Sequence, residues 1–218
     1  MITSERETIP QVYQGQFGEF TITENDRAGV IIYRVGLVIA TLSFAIGSVL
    51  ILWQGPTPFV LNSLTFLFGI FALGLAVSLA TIHIYLVQLH RLLQIFWLIG
   101  TLCAIAIAFQ SNEPLALFVY DRPITLLGIG FIFAALTGIY FKEAFCFDRL
   151  ETKFLTFLVP TLLVGHLVGI LPVSVEQMLL SIWTGLFIIF AFRKVIQPIP
   201  PDIGDKSVFT YLKQQRKQ

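Results

Sequence analysis

The apolar positions of this chain run in long blocks rather than alternating, and short polar knots separate the blocks. Taking about 20 residues of helix as enough to cross a hydrocarbon core of about 30 Å, the blocks predict six spans: Val35–Trp53, Val60–Ile82, Leu92–Phe109, Ile124–Phe141, Phe154–Leu171 and Val175–Phe192. Helix breakers punctuate them. Gln54-Gly55-Pro56-Thr57-Pro58 closes the first, Gln110–Pro114 follows the third, and Pro198, Pro200 and Pro201 follow the sixth. Leu115–Tyr120 is apolar but too short to span, which suits an interfacial segment. Ahead of the first span, Met1–Gln16 lacks periodicity and reads as loose, Phe17–Thr23 alternates as a short extended segment does, and Thr23 or Asn25 is placed to cap a helix opening near Asp26. The predicted fold is all-α: a polytopic membrane helical bundle of about six transmembrane helices. Residues 1–34 form an N-terminal segment, 35–192 the membrane domain and 193–218 a basic tail, in which Val208, Phe209, Tyr211 and Leu212 are placed to touch lipid.

Composition agrees with that class. Hydrophobic residues make up 56% of the chain, charged residues only 12%, and mean hydropathy is +0.83, outside the range of soluble domains. A formal net charge of +1 offers no bulk attraction to nucleic acid, and no cleaved signal peptide is expected. Cys103 and Cys146 fall at different depths, so a disulfide between them is not expected.

The distribution of charge tests the span count. With six spans, both termini and the turns after spans two and four share one side. Of the 14 Lys and Arg residues, that side takes all but Arg122. Such asymmetry is what the positive-inside rule expects when both termini are cytoplasmic. Lys, Arg, Asp and Glu are expected to be missing from the span interiors, and Gly165, Gly169 and Gly185 read as close-packing positions.

One knot is far more charged than the rest. In Phe141–Lys153, FKEAFCFDRLETK, three bases balance three acids. The bland reading is a solvated, self-paired turn. The functional one is a docking surface for a partner, with Lys142, Glu143, Cys146, Asp148, Arg149 and Glu151 as the contact residues. No histidine falls beside Glu143 or Asp148, so a carboxylate metal site is not expected, and no nucleophile stands next to a base, so no catalytic residue is assigned.

Histidine supplies the other candidates. His83, His90 and His166 are the residues to test as ligands of a haem or pigment carried in the bundle. His83 and His90 are seven apart, which separates them by about 10.5 Å along a helix, so they cannot share one iron. Pairing either with His166 requires equal depth, yet His166 lies about 18 Å into its span from the side that carries the termini. Structural, hydrogen-bonded histidines are the competing reading.

Tyr13–Thr23, YQGQFGEFTIT, with Asp26-Arg27 and Ile32-Tyr33-Arg34, and the later Phe141–Phe147 and Arg149-Leu150-Glu151, resemble the signature segments of the DUF2301 family of cyanobacterial and plastid integral membrane proteins. The resemblance implies an oxygenic phototroph and a thylakoid or plasma membrane, and it brings no activity, catalytic residue or cofactor. The expected function is therefore a non-catalytic membrane protein that docks or helps assemble a photosynthetic membrane complex, with the lipid bilayer and that complex's subunits as partners. The alternative is a small-molecule, lipid or pigment carrier.

Overall fold

The computed structural model describes residues 12–215. A small antiparallel hairpin comes first, β1 Val12–Gly15 and β2 Gly18–Thr21, paired from Val12↔Thr21 to Gly15↔Gly18. Val12–Gly15 was expected to be loose, but its pairing with the predicted extended segment gives it a register, and Tyr13 stacks on Phe20 across the ladder. Of the rest of that expected loose stretch, residues 1–11 lie outside the described residues.

The helices follow. α1, Glu24–Gln54, opens on a capping box in which Thr23 Oγ1 accepts from Asp26 N at 3.2 Å and Asp26 Oδ2 accepts from Thr23 N at 2.8 Å. After it come α2 Pro58–Thr81, α3 Val87–Gln110, the short α4 Leu115–Asp121, a 3₁₀ turn at Pro123–Thr125, α5 Leu126–Phe147, α6 Leu150–Leu167 and α7 Val173–Ile196. One turn of helix, α8 Pro200–Ile203, and a polar helix, α9 Lys206–Gln215, close the described part of the chain. Among the described residues, six helices are long and apolar enough to cross a membrane. All six expected spans are present, and most extend beyond their hydropathic limits. α1 starts eleven residues before Val35 because the polar face of its first turns is covered by protein instead of lipid.

The six long helices pack in chain order around a closed ring, with α7 returning against α1. Glycine sets the closest approach. A Cβ on Gly36 would lie 2.6 Å from the Gly74 carbonyl oxygen, so α1 and α2 touch backbone to backbone. Gly100 meets Ile132 and Gly138 meets Leu93 in the α3–α5 contact. Of the glycines expected to pack closely, Gly165 does so against Leu171. Gly169 instead takes a positive φ of 69° at the end of α6, and Gly185 faces open space.

Aromatic rings fill the centre. Phe44, Phe71, Phe133 and Trp183 touch one another, and Tyr140 and Phe187 continue the stack edge to face. Outward, large apolar side chains are exposed, among them Phe66, Leu73, Phe109 and Phe157. That inversion of the soluble pattern suits a lipid solvent.

Candidate functional site

Charged residues converge at the end of the bundle that carries both described termini. Their positions follow from local sequence. At the end of α5, Asp148 adopts a left-handed conformation, φ 51°, which aspartate tolerates better than most residues. The resulting tight turn places Arg149 at the cap of α6. α7 does not stop at Arg193 and Lys194 but runs to Ile196, carrying both cations in its last turn, where its dipole favours them. Nor do the prolines exclude helix. Pro200 and Pro201 occupy the first turn of α8, where a missing N–H costs nothing, and so turn Asp202 back under the bundle.

Lys194 is the hub. Its ammonium, fully buried, binds Glu143 Oε2 at 2.6 Å and also Asp202 Oδ1. Glu143 Oε1 accepts from Lys142 at 2.9 Å and from the Tyr33 hydroxyl at 3.4 Å. Asp202 Oδ2 receives Arg34 through Nη2 at 2.6 Å and Nε at 3.0 Å, and Gln197 donates to Oδ1 at 3.0 Å. The remaining Arg34 contacts go to the carbonyls of Val195 and Pro198, at 3.3 and 3.1 Å. Thus α1, α5, α7 and α8 are bound into one network of charge-assisted hydrogen bonds, the strong class. Removing one partner from such a network strands a buried charge, at a cost of about 3–5 kcal/mol.

The expected docking residues separate on inspection. Glu143 is 0% exposed, Glu151 5%, and Lys142 and Arg149 9% each, whereas Cys146 and Asp148 are exposed. A self-paired solvated turn therefore describes only Asp148, which pairs with Lys153, and Glu151 reaches Arg193 at 2.8 Å. Arg34, Glu143 and Lys194 lie within the long helices but one or two residues outside the expected spans, where the helices run on past the hydropathic limits. Lys194, Gln197 and Asp202 were not singled out from the sequence as site residues, and Arg34 entered only with the segment that carried the family resemblance. The signal available for Arg34, Lys194 and Asp202 was their position one to four residues from Tyr33, Leu37, Phe190, Ala191 and Ile203, apolar residues that the fold buries.

A cap covers this network. Asp205 accepts from Gln16 N at 2.6 Å and from Ser207 Oγ at 2.6 Å, and Ser207 Oγ accepts from Phe17 N at 3.0 Å. These bonds to Ser207 and Gln16 hold the Asp205 carboxyl below its ordinary range. Lys206 bridges Asp26 at 2.6 Å and the Thr21 carbonyl at 3.1 Å. Phe209 and Tyr211, expected to touch lipid, instead pack on Tyr85 and Phe17, the latter pair stacked at 4.0 Å. Burial pushes the Tyr85 phenol above its usual value, and Gly204, with φ 73°, has room for no side chain against it.

The histidines divide between the two ends. His83, in the α2–α3 connection, is half-buried beside Gly29, and burial lowers its pKa. His90 Nε2 lies 2.6 Å from the Leu79 carbonyl and 3.2 Å from Gln94 Nε2. His166 is at the far end, its Nδ1 2.6 Å from Glu176 Oε1 and its Nε2 3.2 Å from the Tyr120 carbonyl, while Tyr120 donates to Glu176 at 3.1 Å. Haem ligation pairing His166 with either other histidine would have to reach across the bundle, and both ring nitrogens of His166 face protein acceptors. The middle of the bundle, where a carried pigment would sit, is filled by the aromatic stack.

The family model of an uncharacterized integral membrane protein, DUF2301, matches residues 77–211. The chain belongs to the DUF2301 family. The match takes in the charged segment at the end of α5 and the start of α6, Lys194 and Asp202, whereas Tyr13–Arg34, which also carried the resemblance, precede it. No curated protein and no solved structure matches the chain. DUF2301 membership brings the membrane setting with it, and the network described above is held mainly by residues within the matched region, with Tyr33 and Arg34 joining from α1.

Proposed function

We propose that the protein is a non-catalytic integral membrane protein whose terminal face, turned to the cytoplasm, docks a protein partner. The observation that supports this most is the locking of the hairpin, the α2–α3 connection, α8 and α9 over a buried ion network. A fixed polar platform stands over a bundle whose centre is packed with rings, a design suited to presenting a surface rather than passing a solute. The cytoplasmic orientation draws on the concentration of Lys and Arg on that face. Contact falls to the exposed members of the charged turn, Cys146 and Asp148, with Lys153 and Arg193 beside them. Lys142, Glu143, Arg149 and Glu151 position them from below. The partner in this reading is a subunit or assembly intermediate of a photosynthetic membrane complex, the setting that the family resemblance implies, in a thylakoid or plasma membrane.

The test is isolation of the tagged protein from its own membranes in gentle detergent, followed by mass spectrometry. The proposal expects subunits of one complex in stoichiometric amount, lost when the exposed pair is swapped as Asp148→Lys with Lys153→Glu. Undiminished recovery of those subunits with the swapped pair would exclude this turn as the contact.

A further inference from the structure

Arg149 differs from every other buried cation at the terminal end. Arg34, Lys142 and Lys194 each reach a carboxylate, but Arg149 has none within 4.0 Å among the described residues. Its Nη2 is spent on the neutral amide of Gln197, and its Nη1 is buried without a hydrogen-bond partner. A guanidinium does not lose its proton in proteins, and a buried charge without a counterion is costly. The surroundings add to the imbalance. The Phe147 ring centre lies 4.3 Å from Lys194 Nζ, 5.4 Å from Lys142 Nζ and 5.6 Å from Arg149 Cζ, so three cations gather about one ring. Arg34, Lys142, Arg149 and Lys194 face only Glu143 and Asp202, while Glu151 is answered by Arg193, which leaves two positive charges unmatched. Arg149 also caps α6 without supplying a side-chain acceptor, and Glu151, the acid in that helix's first turn, turns its Oε2 to Arg193.

We propose that Arg149 is the centre of an anion site that takes the phosphate of an acidic phospholipid from the leaflet at the terminal end. The lipid source follows from the flanks. Phe145 on one side of the turn and Leu150 and Phe154 on the other are 84%, 66% and 63% exposed, giving apolar surface next to the charge for acyl chains to cover. Free phosphate uses the charge alone. Basic pockets between helices at a membrane surface bind head groups in this way.

The experiment uses the full-length protein in detergent, with native mass spectrometry and thermal unfolding measured against added phosphatidylglycerol, phosphatidylcholine or inorganic phosphate. The wild type is expected to retain phosphatidylglycerol and to be stabilised by it, and phosphatidylcholine is expected to do neither. Arg149→Gln should weaken phosphatidylglycerol retention by about tenfold or more, the scale of a charge-assisted contact, while Arg122→Gln at the far end should leave it unchanged. Should Arg149→Gln fail to fold, the wild-type comparison of the two lipids still decides. Equal retention of both lipids, or retention undiminished in Arg149→Gln, would overturn the site. Stabilisation by inorganic phosphate alone, with no gain from phosphatidylglycerol, would overturn the lipid source.

Discussion

The two ends of the bundle handle charge in opposite ways. At the far end, Arg122 and Glu113 form a rim pair, each nearly half exposed, and His166 and Glu176, mostly withdrawn from solvent, join Tyr120 in one small cluster that ties α4, α6 and α7. At the terminal end, Lys194, Glu143 and Asp202 are withdrawn almost completely from solvent and bonded several times over. Rim pairs are worth little because water competes for both partners. Buried ones cost desolvation and repay it only when geometry is complete. The far end thus needs only to close a bundle, whereas the terminal end is held in one arrangement.

That difference gives an order of expected effects. Lys194→Met should be the most damaging substitution. It leaves Glu143 and Asp202 facing each other without the ammonium between them, and unfolding in mild detergent should show a loss of about 3–5 kcal/mol. Gly36→Ala comes next, since its Cβ meets the Gly74 carbonyl and forces α1 from α2, costing about 1–3 kcal/mol by the same measurement. Glu176→Gln at the far end keeps one of the two acceptor oxygens that Tyr120 and His166 use and puts an amide donor in place of the other, so its loss should stay near 1 kcal/mol. A result as large as that for Lys194→Met would erase the contrast between the ends.

The smallest effect concerns pH. The folded state holds the Asp205 carboxyl below its unfolded value, so its tie to the hairpin is complete above about pH 4 and is lost as pH falls through the folded value. Amide exchange in Val12–Thr21 should therefore show no Asp205-dependent change between pH 7 and 5 and rise only in stronger acid. Asp205→Asn should remove that acid step. His83 works in the same direction at a higher pH: burial disfavours its protonated form, so its contribution is present above about 6.5 and declines below it.

Much of the fold was legible in the sequence because a membrane imposes a length and a hydropathy on each helix. The six spans, the capping role of Thr23 and the strand within Phe17–Thr23 all followed from local pattern, whereas the helical form of the short apolar segment at Leu115 did not. Hydropathy marks where lipid ends, though, and not where a helix ends, so the polar extension of α7 was lost from view, whereas that of α1 was expected from the cap at Thr23. The site was legible only in part. The segment Phe141–Lys153 stood out by its charge density, but charge density alone does not distinguish a solvated turn from a buried network. The partners that bury it, Arg34 and Asp202, are 168 residues apart, and nothing local in Pro200-Pro201-Asp202 announces that the carboxylate turns back beneath the bundle. Phe209 and Tyr211 misled for a related reason. Their apolar spacing suited lipid, and only the folded hairpin supplies Phe17 as a ring to stack on.

The most direct test of the locked terminal face is hydrogen–deuterium exchange on the full-length protein in detergent, comparing wild type with Asp202→Asn. This substitution weakens the acceptor of both Arg34 and Lys194 while keeping its shape. The account predicts faster exchange at α8, α9 and the hairpin together, and at the last turn of α7, with α4 and the far end unchanged. Unchanged protection at the cap, or an equal rise at both ends, would contradict it.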